Sequence, residues 1–90
     1  MLALRPRTRA DLVEVELDDE LVILDEASGD LHHLNHTASA IFALCDGTST
    51  IAEIAHEVAA LFDRTPQEIR PEVDRFVGRL GEARLLGEPR

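Results

Sequence analysis

Leu21–Gly47 reads LVILDEASGDLHHLNHTASAIFALCDG, and the order of signals in this stretch decides the fold. Leu21–Leu24 is a continuous apolar run of strand length, suited to the centre of a small sheet. Asp25–Asp30 follows as a polar hairpin loop containing Ala27, Ser28 and Gly29, and Gly29 supplies the positive φ that such a turn often requires. Leu31–Leu34 returns as the next strand. Asn35 or Thr37 then caps a helix whose apolar positions Ala38, Ile41, Phe42 and Cys45 recur at spacings of three and four. Gly47 ends that helix as a left-handed C-cap. A hairpin that passes straight into a helix belongs to an α+β chain, not to alternating βαβ units.

Working outward from that stretch, Val13, Val15 and Leu17 alternate with Glu14 and Glu16, the period-two pattern of a half-buried strand. Asp18, Asp19 and Glu20 make a polar turn into the central strand. Residues 1–10 hold Arg5, Arg7, Arg9 and Pro6 without periodicity, which predicts a flexible arm before a domain spanning residues 11–87. On the other side, Thr50 and Glu53 have capping-box spacing, and Ile51, Ile54, Ala55, Val58, Leu61 and Phe62 draw the buried stripe of a second helix. Thr65, Pro66 and Glu68 repeat the start signal, and Ile69, Val73, Phe76, Val77 and Leu80 define a third helix. Pro71 lacks a backbone donor and crowds the carbonyl four residues back, which predicts a kink or a late start at Pro71. Gly81 turns the chain out, and Arg84–Leu86 would close as a short strand or wing. The expected architecture is a three-stranded antiparallel β-sheet followed by a three-helix, winged helix-turn-helix-like bundle.

Charge and size narrow the function. Eighteen acidic residues against nine arginines and no lysine give a formal charge of −9, which repels phosphate backbones and favours a basic partner or leader. A chain of 90 residues buries only roughly 60 to 65% of its unfolded surface, so a deep, enclosed active site is not expected. No apolar stretch approaches the roughly 18 residues of a membrane span, and arginines interrupt any signal-peptide core. The expected location is cytoplasmic, without membrane or nucleic-acid partners. Arg75 and Arg79 lie one helical turn apart, as on the recognition helix of a winged-helix transcription regulator, but Glu72, Asp74 and Glu82 offset them.

Residues with reactive side chains do not assemble into a catalytic or metal-binding pattern. His32 and His33 are adjacent, so on a strand they point to opposite faces and cannot both reach one ion. One of the pair would lie beneath the sheet and the other would face a groove or solvent. His36 sits near a helix start, His56 on a helix beside Glu53 and Glu57, and the lone Cys45 on an apolar stripe, where a free cysteine behaves as a small hydrophobe. There is no GxSxG elbow and no glycine-rich phosphate loop. The expectation is a protein without catalytic residues, metal or cofactor.

The segment from Leu21 to Leu86 resembles the PqqD family, the precursor-peptide recognition elements of ribosomally made, post-translationally modified peptide (RiPP) pathways. The resemblance rests on Leu34 and Asn35 leading into the first helix, on CDGTSTIAEI from Cys45 to Ile54, and on the closing series Val73, Phe76, Leu80, Leu85 and Leu86. Two positions depart from the pattern: Pro71, and Ala83 with Arg84, where the family often has a basic residue followed by glycine. The resemblance implies capture of a precursor's leader peptide, added as a strand beside the third strand and resting against the third helix. Its partner would be a modifying enzyme such as a radical SAM protein, a leader peptidase or a cyclase. A free sheet edge independently offers unpaired N–H and C=O groups to an extended peptide. By position, Asp30, Leu31, His32, His33 and Leu34 would form the receiving edge. Asp74, Val77, Gly78 and Gly81 would form the opposing helical wall, with Gly78 allowing a backbone to approach closely.

Overall fold

The computed structural model describes residues 4–18 and 20–87. Three strands precede three helices: β1 (Val13–Leu17), β2 (Glu20–Asp25), β3 (Asp30–Leu34), α1 (His36–Leu44), α2 (Ile51–Leu61) and α3 (Pro66–Glu82). The sheet is antiparallel in the order β1-β2-β3, an α+β arrangement as the sequence predicts. Of the turn expected at Asp18–Glu20, the middle residue Asp19 lies outside the described residues. In the β2–β3 hairpin Gly29 has φ +81°, and its N–H donates to the Asp25 carbonyl at 2.7 Å.

Alternation along β2 sets the two faces of the sheet. Leu21, Ile23 and Asp25 are buried against the helices, and Val22 and Leu24 point the other way. Register then assigns the neighbouring strands. Leu34 pairs with Leu21 and His32 with Ile23 on the helix side, whereas Leu31 pairs with Leu24 and His33 with Val22 on the outer side. Val13 and Val15 likewise pair with Leu24 and Val22 on the outer side. Every residue of β1 is exposed, which corrects the half-buried expectation. The reason is coverage: α1 packs on β2 and β3, and no helix reaches β1.

Local signals place the helices well. Asn35 caps α1, its Oδ1 accepting from Ala38 N–H at 2.9 Å. Thr50 and Glu53 close a reciprocal capping box on α2, as Thr65 and Glu68 do on α3, each such cap contributing about 1 kcal/mol. That second box holds the first turn of α3, so the helix starts at Pro66 and not at Pro71, and Pro71 is accommodated within it. Gly81 remains helical. The chain leaves α3 at Arg84, which takes a left-handed φ of +61°, a conformation that glycine adopts most readily. Leu61, expected in the α2 stripe, is exposed, and Ala59 is buried in its stead.

The core forms where the helices meet the sheet, around Ile23, Ile41, Ile54, Val58, Ile69, Val73 and Leu85. Cys45 is buried there, and burial pushes its thiol up to about 11. At neutral pH it is therefore a protonated core side chain and a poor nucleophile.

Residues 6–9 of the expected N-terminal arm are bonded to the domain, and residues 1–3 lie outside the described residues. The Gly47 N–H donates to the Pro6 carbonyl at 2.9 Å, Thr8 N–H to the Cys45 carbonyl at 2.9 Å, and Arg9 N–H to the Leu85 carbonyl at 2.9 Å. Gly47, at φ +86°, thus receives the N-terminal segment two residues beyond the C-cap of α1 at Cys45. The Arg9 guanidinium forks onto Asp25 at 3.0 and 3.2 Å and onto Asp11 at 2.6 Å. Its hydrogen bonds hold the Asp25 carboxyl below the usual carboxylate range, against burial, which acts to raise it. Asp25 is the one charged side chain buried among the described residues, and the N-terminal segment neutralises it.

Candidate peptide-docking groove

β3 is an edge strand: it pairs with β2 on one side, and no strand pairs with its other side among the described residues. The backbone groups of that side are a template for an added strand. The exposed edge leads straight into α1, because Leu34 is buried, Asn35 is the N-cap and the Ser39 hydroxyl donates back to the Leu34 carbonyl at 3.2 Å. The end of β3 is therefore fixed relative to the helices.

The strand β3 and the helix α3 do not pack together. No Cα of β3 comes within 8 Å of one in α3, and α1 is the element that touches both. Between α1 and α3, next to the end of β3, a cavity of about 170 Å³ is bounded by Asn35, Thr37, Ala38 and Ile41 of α1 and its cap. Its other wall is Glu72, Arg75, Phe76 and Arg79 of α3. Glu72 is engaged by Arg64 at 3.7 Å. Among the described residues neither Arg75 nor Arg79 makes an ion pair. In a protein of net charge −9, the cavity between α1 and α3 thus carries two guanidiniums without an ion pair among the described residues.

The sequence pattern of the family described as Coenzyme PQQ synthesis protein D (PqqD) matches residues 20–86, from the first residue of β2 to beyond α3. The chain belongs to the PqqD family. No curated protein matches it. Three solved structures share its fold. TbiB1 in complex with the TbiA(beta) leader peptide is 21% identical with a TM-score of 0.79, over 93% of this chain and 98% of that one. A lasso peptide synthetase B1 complexed with the leader peptide is 22% identical with a TM-score of 0.75, over 94% and 99%. The third is the solution structure of the PqqD truncation of Methylobacterium extorquens PqqCD, a functional, stand-alone RiPP recognition element. It is 22% identical with a TM-score of 0.74, over 92% of this chain and 88% of that one.

In this PqqD-family chain the residues expected on β3 divide between two faces. His32 is half-buried on the helix side, with Leu34 in the core below it. Leu31, 68% exposed, and His33 lie on the outer side, where His33 Nε2 meets Glu20 Oε1 at 3.0 Å. His32, and not His33, is therefore the imidazole on the groove side. Asp30 is exposed at the hairpin end opposite Asp25.

The residues expected on the helical wall do not gather on one face of α3. Val77 is only 6% exposed and belongs to the core. Asp74 accepts from Arg70 at 3.2 Å and faces α2 across a separate cavity lined by Ala52, Ala55 and His56. A Cβ on Gly78 would meet nothing within 4 Å, and one on Gly81 only Leu86 at 3.8 Å. None of the four lines the cavity next to β3. Spacings of three and four fit two flanks of one helix, and only the position of α1 selects between them. His36 sits away from any ligand set, its ring edge-on to Phe62 at 4.9 Å.

Proposed function

We propose that this chain is a non-catalytic adaptor of RiPP biosynthesis. It takes the leader segment of a ribosomally made precursor as a fourth strand along β3 and presents the precursor to a modifying enzyme, a radical SAM protein, a leader peptidase or a cyclase. The observation that carries this reading is the free edge of β3, which runs through Asn35 to the cavity between α1 and α3. Family membership and the likeness to proteins solved with leader peptides support it.

Each part of the groove has a physical role in that reading. Backbone bonds to β3 supply affinity independent of leader sequence, and pockets for alternate side chains supply selectivity. His32 and the cavity beside Phe76 meet the side chains that point toward the helices. Arg75 and Arg79 favour a leader carrying aspartate or glutamate where it passes α3, a charge-assisted contact stronger than a neutral one. The acidic remainder of the surface opposes binding of a duplex.

The test is a fluorescence-anisotropy titration of labelled leader peptide from the precursor gene beside this chain's gene. The expected dissociation constant is about micromolar or tighter. No binding by any leader encoded in that neighbourhood sinks the proposal.

A further inference from the structure

The face of the sheet turned away from the helices is largely aliphatic, with Glu20 and His33 paired at 3.0 Å at one end of it. Register brings Val13, Val15 and Leu17 of β1 beside Val22 and Leu24 of β2 and Leu31 of β3, all on the outer side. Val13, Val15 and Leu17 are 39, 48 and 52% exposed, and no helix among the described residues packs over them. A contiguous apolar face on a small monomer marks an interaction surface more often than chance does. It is distinct from the cavity between α1 and α3, which lies on the helix side of the sheet.

Charge identifies the kind of occupant. From Ala10 to Asp63 there is no arginine or lysine. Asp18 and Glu20 stand at one end of the strands, Glu26 and Asp30 at the other, and Glu14 and Glu16 interleave along the free edge of β1. Arg9 neutralises Asp11 and Asp25 only. A second copy seated on this face would bring acidic rim against acidic rim, and an anionic membrane would be repelled in the same way. We propose that the outer face of the sheet docks a protein surface with an aliphatic centre and an arginine- or lysine-rich rim, belonging to the enzyme that receives the leader. The identity of that enzyme rests on the adaptor reading, whereas the chemistry of the surface does not.

The test uses the full chain and the purified modifying enzyme encoded beside it, with binding followed at low and high salt. Val15→Lys, at an exposed position of an edge strand, is expected to weaken enzyme binding about tenfold or more while leader affinity stays within about twofold. Val15→Thr, which keeps the β-branched shape, is expected to weaken it less and guards against loss of the strand. Wild-type affinity is expected to fall as salt rises. The proposal is overturned if the wild-type chain does not bind the enzyme, or if both variants bind it as wild type does. It is also overturned if sedimentation equilibrium of the chain alone shows a dimer that Val15→Lys dissolves. Loss of leader binding by the wild-type chain, with enzyme binding intact, would instead count against the adaptor reading alone.

Discussion

Val77→Asp is expected to unfold the domain. Val77 is 6% exposed on the buried flank of α3, with Val73, Phe76 and Leu80 buried on the same helix. A carboxylate placed there has no cationic partner, and burying an unpaired charge costs several kcal/mol even after relaxation. At roughly 0.05–0.15 kcal/mol per residue, a chain of 90 residues has about 5–13 kcal/mol to lose. The helical circular dichroism should collapse, or the melting temperature should fall by tens of degrees. Burial would raise the pKa of the introduced carboxyl, so part of the stability should return as the pH is lowered and the group is protonated. Gly78→Ala, one residue along and in open space, is expected to leave the fold intact or stabilise it by up to about 1 kcal/mol. Retention of a native spectrum by Val77→Asp would mean that the packing of α3 is misassigned.

Reversing both groove arginines, Arg75→Glu with Arg79→Glu, is expected to leave the fold nearly unchanged and to reduce leader affinity about 100-fold. Both residues are exposed and neither makes an ion pair among the described residues, so the folded state loses no partner. Arg79 lies in the last turn of α3, where losing a positive charge costs a few tenths of a kcal/mol against the helix dipole. The effect on binding comes from removing two attractive contacts and placing two glutamates beside Glu72. About 2.7 kcal/mol, the equivalent of 100-fold, is reached if each position contributes about 1.4 kcal/mol. Arg75→Ala with Arg79→Ala should lose less, since it removes attraction without adding repulsion. Isothermal titration with the leader peptide checks both variants, and a thermal melt confirms the fold. Unchanged affinity in the reversed variant would exclude α3 as the wall of the leader site.

Those two expectations mark the boundary between what the chain states locally and what only its packing decides. Thr50 with Glu53 and Thr65 with Glu68 were legible because a capping box is complete within four residues. Asn35, Gly29 and the three strands were legible for the same reason. Which face of β1 would be covered was not, because alternation of Val13, Val15 and Leu17 with glutamates reports two different faces but not where the helices lie. Which flank of α3 lies beside α1 was hidden in the same way. Asp74, Val77 and Gly81 follow one another at helical spacing, and so do Glu72, Arg75 and Arg79. The arginines were visible in the sequence as a pair one turn apart, and their setting beside α1 gives the pair its meaning. The bonding of the N-terminal segment was not legible because its anchors, the carbonyls of Cys45 and Leu85, carry no sequence signal. Asp25, an acid at an inward position of an apolar strand, was the clue that a cation must come from elsewhere, and Arg9 is that cation.

The central claim is that a leader peptide joins the sheet at β3. Hydrogen exchange followed by NMR, with and without saturating leader peptide, tests it directly. Amides of β3 between Asp30 and Leu34 that face the free edge should exchange at least about tenfold more slowly in the complex, because each gains a carbonyl partner. Amides along α3 that are already helix-bonded should change little. A leader that binds without slowing exchange at β3, and protects instead the α2–α3 cavity around Ala52, His56 and Asp74, would contradict it.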